Sequence, residues 1–476
     1  MKNQLWLVSD LQEITGGKLS GDHASQIFGF SIDTRTLQSG DCYFAIRGDR
    51  LDGHHFVESA FLNGASLAIV EESWTSSSVV GPNCNVLSVP DVVHAMENIG
   101  IAARNRISDN SVVAVTGSVG KTTTKDMLNM ALSACGPTHA SVSSFNNHWG
   151  VPLTLARMAR DTEFGVFEIG MNHPGEIEPL VKMVRPSIVI ITGIEAVHIE
   201  YFEDIEQIAE AKSEIFAGVV HSGTAILNRD NTWYSYLFSK ATNAGVDRII
   251  SFGSHSDADV RLIDVRVVDD RTDVVARVFG KNISFSIGAP GYHFAQNSLA
   301  VLAACHVLKI DLVHAVSAFP ELKARRGRGA RELLKLDGGT AVLIDESYNA
   351  NPVSMRAALA TLALHKNSSN GRKIIVLGDM LELGQRAKEQ HEDLIEVIKT
   401  ADVDRVYLCG PMMEHLWHNI PQNLRGSYSK NSAGLVDVIA ETLLAGDVIM
   451  IKGSLGSNMK PIVDRLKKLP QELDIL

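Results

Sequence analysis

One run, Val112-Val113-Ala114-Val115-Thr116-Gly117-Ser118-Val119-Gly120-Lys121-Thr122-Thr123-Thr124-Lys125, restricts the architecture of this chain more than any other stretch. Four apolar, mostly β-branched residues read as a buried strand, and a glycine turn leads into a polar, threonine-rich helix start. A strand that feeds a helix in this way belongs to a helix-covered parallel sheet. The turn also aims successive backbone N–H groups and the positive end of a helix at one point, which suits a phosphate. Lys121 can neutralise the β- and γ-phosphates, and the Thr122 hydroxyl can ligate Mg²⁺. Gly117, Ser118, Val119, Gly120, Lys121, Thr122 and Thr123 are therefore the candidate nucleotide-binding residues, with a nucleoside triphosphate as ligand. The common phosphate loop would place a glycine where Val115 stands, so this is a shorter Gly-x-x-Gly-Lys-Thr form. A turn that holds nothing is the bland alternative; Lys and Thr in register after a strand argue against it.

A chain of 476 residues is too long for one hydrophobic core, and about three domains are expected. With 45% hydrophobic and 21% charged residues it reads as an ordinary globular protein. A net charge of −11 argues against nucleic acid or an anionic membrane as main partner. The five cysteines (Cys42, Cys84, Cys135, Cys305, Cys409) show no paired spacing, which fits reduced thiols and neither a disulfide framework nor a zinc site. Charge enters the N-terminus too early for a signal peptide, and the apolar windows Ile188 to Ile191 and Leu299 to Leu308 are too short to span a bilayer. A cytoplasmic protein without membrane insertion is expected, acting as a monomer.

The pattern predicts an α/β chain of three domains. Residues 1–90 form a small N-terminal α/β domain, with strands at Gly29 to Asp33, Cys42 to Ile46 and Leu67 to Val70 and a helix near His55 to Asn63. Residues 91–322 form a central P-loop domain on a parallel sheet. It opens on a helix at Asp91 to Arg106, and its strands lie at Val112 to Val115, Phe164 to Ile169, Ile188 to Ile191, Thr224 to Leu227 and Arg248 to Phe252. An antiparallel meander over Val260 to Ser286, turning at Asp269-Asp270 and Gly280-Lys281, and a helix at Phe294 to Leu308 complete it. The basic, glycine-punctuated segment Lys323 to Arg331 reads as a hinge. Residues 323–476 then form a Rossmann-like domain with strands at Ala341 to Asp345, Arg372 to Leu377, Arg405 to Leu408 and Val448 to Ile451.

Ligands of open parallel sheets lie beyond the carboxyl ends of the strands, so polar residues there are candidates. Glu168 ends an apolar strand near the phosphate loop and suits a Mg²⁺ ligand. His198 follows the strand at Ile188, where a ligand and an ordinary surface histidine are both open readings. Lys212 falls in the apolar stripe of a helix between Asp204 and Val220, where it must snorkel or meet a partner; carbamylation by CO₂ is the alternative. Asp345 and Asp379 end strands of the third domain, positions that often bind ribose hydroxyls. Asn349-Ala350-Asn351-Pro352 also makes a good helix cap.

Taken together these segments resemble the Mur ligases, ATP-dependent amide-forming enzymes of peptidoglycan precursor synthesis. The similarity runs over the whole chain through the short loop, Glu168, His198, Ala211-Lys212-Ser213-Glu214, Asn297, Arg328 and Asp345. Ser144-Phe145-Asn146-Asn147 with Gly150-Val151-Pro152-Leu153-Thr154, Asn172-His173-Pro174-Gly175-Glu176-Ile177, Asp345 to Pro352 and Leu377 to Gly384 are similar to the branch that adds D-alanyl-D-alanine. The resemblance implies ATP and two Mg²⁺ ions, with UDP-N-acetylmuramoyl-tripeptide and D-alanyl-D-alanine as substrates. It implies Lys121, Glu168, His198 and Lys212 as catalytic residues, the metal being held by Thr122, Glu168, His198 and a carbamylated Lys212. Asn297 would approach adenine, while Arg328 and Asp345 would reach phosphate and ribose. Ser31, Thr34, Arg35, Asn146, Asn147, Tyr348 and Asn349 would contact the other substrates. One departure is His293-Phe294-Ala295-Gln296-Asn297, where the family often has His-Asn before the later asparagine.

Two other readings compete. Folylpolyglutamate synthetases use similar loop chemistry, but their architecture usually begins close to the loop. A nucleotide-driven switch would hydrolyse ATP or GTP without joining substrates, and no Asn-Lys-x-Asp guanine signature occurs here.

Overall fold

The structure, a computed structural model, describes residues 4–75, 84–142, 145–197, 199–268, 270–365 and 371–473. His198, Ser144 and Asp269, named above, lie outside the described residues.

Among the described residues the central sheet has nine strands, in the order Lys281–Ile287, Thr272–Val278, Val260–Val267, Arg248–Gly253, Thr224–Asn228, Ile188–Ile191, Val112–Thr116, Phe164–Glu168 and Thr138–Ala140. The strand ahead of the glycine turn sits inside this sheet, parallel to both neighbours. That explains its unbroken apolar run. Val113 and Val115 pack beneath the helices Lys121–Ser133 and Tyr292–Val307, and Val112 and Ala114 enter the core on the opposite face. The expected meander is present, and it continues the parallel sheet: Val260 pairs with Phe252 in parallel before the chain turns antiparallel. The short strand Thr138–Ala140 carries no β-branched run and was not legible in the sequence.

The N-terminal sheet runs in the order Lys18–Ser20, Val86–Val89, Leu67–Glu71, Asp41–Phe44 and Gly29–Ser31, parallel except at its first edge. Its core is continuous with that of the central domain, since Trp6 and Phe30 share a cluster with Leu155 and Phe167. Arg157 rivets the seam, donating from Nε and Nη2 to the Phe30 carbonyl at 2.8 and 2.6 Å.

The third sheet runs Ala330–Leu336, Gly339–Glu346, Val448–Lys452, Lys373–Gly378, Arg405–Cys409 and Arg425–Ser429, with only the first pair antiparallel. The hinge is shorter than the charge pattern implied. Ala330 and Arg331 already pair with Asp345 and Ile344, because the basic residues continue into an edge strand whose outer side tolerates charge. Among the described residues no helix is long and apolar enough to cross a membrane.

Candidate active site

Gly117 and Gly120 shape the loop. Both have positive φ (+144° and +86°), and a Cβ on Gly117 would lie 2.0 Å from Thr192 Oγ1. Gly120 is the N-cap of the helix Lys121–Ser133, and no side chain caps it, so the first-turn amides are directed at the cleft. The strand Ile188–Ile191 clamps the loop from beside it. The Thr192 amide donates to Thr116 O at 3.0 Å, its hydroxyl donates to Val119 O, and Ser118 N donates to Gly193 O at 2.9 Å. Sequence reasoning missed Thr192, although a threonine directly after four apolar residues is a visible signal.

Lys121 curls back over its own turn, Nζ donating to Gly117 O at 2.6 Å and Ser118 O at 3.3 Å. Burial holds this ammonium below its usual range, Glu168 opposing and Arg328 adding to the effect. Glu168 is 1% exposed. Its Oε1 accepts from Asn146 Nδ2 at 2.8 Å, while the buried Oε2 has no hydrogen-bond donor. A carboxylate oxygen left so is costly unless a cation meets it, and the Thr122 hydroxyl lines the same cleft. This hard-oxygen pair fits Mg²⁺. Among the described residues no group of three or more His, Cys, Asp or Glu forms a ready metal cage.

Lys212 is 3% exposed, within the helix Ile205–Ser213. Burial and then the charge of Lys121 pull it well below the ordinary lysine range, against Glu214. Only the unprotonated amine reacts with CO₂, and a lowered pKa favours that form.

The cleft beyond the loop encloses about 380 Å³ and is closed on its far side by Arg328 of the linker and by Glu346, Tyr348 and Asn349 of the third domain. The Arg328 guanidinium lies 4.2 Å from the Tyr348 ring centre. Asn297 packs against the loop, where a Cβ on Gly120 would be 2.8 Å from its Oδ1. Gln296, in the departing stretch, also lines the cleft and donates through Nε2 to Tyr292, Ser254 and Asp230 at 2.9, 3.1 and 3.2 Å. Asp345 is not among the cleft residues. It is buried, and its Oδ1 accepts from Ser347 N at 3.1 Å and from the Ser347 hydroxyl. The next residue, Glu346, faces the cleft, with Lys452 Nζ 3.2 Å away. Both were missed, Lys452 despite ending an apolar strand.

Asp379 is fully engaged in the fold, accepting from Met413 N at 2.8 Å and Met412 N at 3.2 Å. Asn351 caps the helix Pro352–Ala363, as its sequence suggested. Asn147 Oδ1 accepts from Gly150 N at 2.9 Å, where the helix Gly150–Ala156 begins. Ser31, Thr34 and Arg35 lie in the N-terminal domain, outside the nucleotide cleft, with Arg35 paired to Asp33 at 2.6 Å. Asp52 and His54, in the same domain, hold each other at 2.6 Å, and His54 Nε2 accepts from Glu71 N at 2.9 Å.

Three family profiles match in order: the Mur ligase family catalytic domain over residues 26–112, the Mur ligase middle domain over 115–305, and the Mur ligase glutamate ligase domain over 332–455. The chain is 32% identical to the UDP-N-acetylmuramoyl-tripeptide–D-alanyl-D-alanine ligase of Rickettsia prowazekii, covering 91% of this chain and 94% of that one. It is 32% identical to the ligase of the same name from Bacillus subtilis, covering 97% and 98%. Its fold is similar to a crystal structure of MurF from Acinetobacter baumannii, with a TM-score of 0.82, 27% identity and 97% and 99% coverage. Loop, closing domain and three profiles in sequence agree, and this chain belongs to the Mur ligase family.

Proposed function

We propose that this chain joins D-alanyl-D-alanine to the peptide carboxylate of UDP-N-acetylmuramoyl-tripeptide with ATP as the energy source, in cytoplasmic peptidoglycan precursor synthesis. The observation that carries the reading is the buried, unpaired Glu168 oxygen facing a glycine loop with Lys121, in a cleft that a separate domain closes.

A carboxylate is a poor acylating agent because its leaving group would be oxide. Transfer of the γ-phosphoryl group from ATP gives an acyl phosphate and ADP; the dipeptide amine then attacks the acyl carbon, loses a proton and expels phosphate to leave the amide. Phosphate and carboxylate repel as they approach. The loop amides and Lys121 hold the triphosphate against that repulsion. Mg²⁺, held by Thr122 and Glu168 and at a second position by His198 and carbamylated Lys212, would supply the remaining charge neutralisation. Asn146 orients Glu168 through its 2.8 Å hydrogen bond. We assign the third-domain ribose contact to Glu346, which lines the cleft one residue beyond the Asp345 that the resemblance implied, and the phosphate contact to Arg328, which lines it too. Ser31, Thr34 and Arg35 belong to the UDP-sugar end, and Asn147, Tyr348 and Asn349 to the peptide substrates. Closure of the third domain keeps water from the acyl phosphate.

Phosphate release with UDP-N-acetylmuramoyl-tripeptide, with and without D-alanyl-D-alanine, followed by mass analysis of the product, tests this. Dipeptide-dependent release with a product enlarged by the dipeptide is expected. Release independent of both substrates would favour a nucleotide switch and overturn the ligase reading.

A further inference from the structure

The segment Lys323 to Gly329 joins the central and third domains, and the ligation chemistry leaves its first arginines without a task. Its two ends are held by different means. Toward the third domain the contacts are backbone: Tyr348 N donates to Gly327 O at 2.9 Å and Gly329 N to Asp345 O at 2.8 Å. Toward the central domain the contact is ionic, with Arg325 Nη2 2.6 Å from Asp126 Oδ1.

Asp126 stands on the helix that begins with Lys121. Its position is set before Arg325 arrives, because the same oxygen takes Lys125 Nζ at 2.7 Å and Lys125 is only 1% exposed. A buried ammonium does not release its carboxylate cheaply. The Arg325 carbonyl then accepts the Arg328 N–H at 2.9 Å, closing a turn that Gly327 permits with φ +75°. This turn delivers the Arg328 guanidinium to the wall of the nucleotide cleft above Tyr348. Thr122, Thr123, Asp126, Arg325 and Arg328 also line one cavity of about 20 Å³, so the ion pair adjoins the phosphate-binding helix start.

We propose that Asp126 and Arg325 are positioning residues for ATP: their ion pair pins the linker so that Arg328 meets the triphosphate. The inference rests on the ATP-dependent reading above, and it concerns residues that act through Arg328 and touch no substrate themselves.

The test compares Arg325→Met, Arg325→Lys, Arg328→Met and the Arg325→Met/Arg328→Met double variant. Calorimetric affinity for a non-hydrolysable ATP analogue with Mg²⁺ is measured beside KM and kcat of ligation. Arg325 is half-exposed, so its variants keep the parent melting temperature. Arg325→Met should weaken analogue binding and raise KM for ATP by about tenfold, leaving KM for D-alanyl-D-alanine unchanged. Arg325→Lys, which keeps the charge, should recover most of the loss. The double variant should be no weaker than Arg328→Met alone, because the two residues act as one unit. Analogue affinity of Arg325→Met within twofold of the parent, or losses that multiply in the double variant, would overturn the proposal. Absence of an amide product would sink the ligase reading, while the analogue affinities would still decide this one.

Discussion

The central and third domains both end a buried parallel strand in a carboxylate, and the two acids have opposite fates. Glu168 closes Phe164–Glu168 with one oxygen on Asn146 and the other without a donor, in the cleft. Asp379 follows Lys373–Gly378 and accepts two amides, from Met412 and Met413, at the start of the helix Met413–Asn419. The difference lies in what the neighbouring strand does next. After Arg405–Cys409 the chain turns at Gly410 into a helix whose open amides reach Asp379 first. Beside Glu168 the neighbouring helix amides belong to the glycine loop and point at the cleft, so the acid there stays available to a cation. A strand-end acid is a ligand only where no helix start takes it.

Glu168→Gln should break the comparison most strongly. The amide keeps an acceptor for Asn146 yet loses the charge, so ligation should fall by about 10³-fold with the melting temperature unchanged. A ligation rate within tenfold of the parent would remove Glu168 from the metal site. Lys121→Ala should abolish ligation by the same logic.

Lys212 adds a pH dependence with a definite sign. The fold holds its pKa well below the unfolded value, chiefly by burial, so the unfolded chain binds the extra proton. Its contribution to stability is therefore largest above the ordinary lysine range and falls as pH drops from about 10.4 toward the folded-state value. In CO₂-free buffer Lys212→Met should remove part of that slope and raise the neutral-pH melting temperature by roughly 2 °C or more, while abolishing ligation. Lys212→Ala should regain partial activity with small carboxylic acids. An unmodified Lys212 in the mass spectrum of fully active enzyme would refute carbamylation.

The phosphate loop was legible because its chemistry is local: glycines, lysine and threonine lie in one turn. Most strands of the central and third domains were legible from apolar runs, and Lys212 from the periodicity of its helix. The hydrophilic edge strands Thr138–Ala140 and Arg425–Ser429 were not, since they carry little apolar signal and form by pairing with a distant neighbour. The partners of Glu168, Thr192 and Lys452 come from elsewhere in the chain, and spacing does not encode them. Asp345 shows a subtler limit. An acid pair at a strand end marks the site, but the two-residue period of the strand sends Asp345 and Glu346 to opposite faces. Only the packed sheet says which face is the cleft.

That alternation supplies the next contrast in size. Glu346→Gln should raise KM for ATP by about tenfold with kcat nearly kept, as expected for lost ribose binding, whereas Asp345→Asn should leave KM for ATP within about threefold. The reverse ranking would return the ribose to Asp345.

Asp379→Ala is the smallest effect on catalysis and the sharpest check on the opening contrast. It removes two hydrogen bonds to a helix start, one buried and one partly buried, so the third domain should lose about 1–2 kcal/mol. The acid sits on the fold side of its strand end, so KM for ATP should stay within about threefold of the parent once measurements are made below the lowered melting temperature. Urea unfolding reads the first quantity and steady-state kinetics the second. If Asp379→Ala kept its stability and lost ATP affinity, the acid would be a ligand after all, and helix amides would not be what separates the two strand ends.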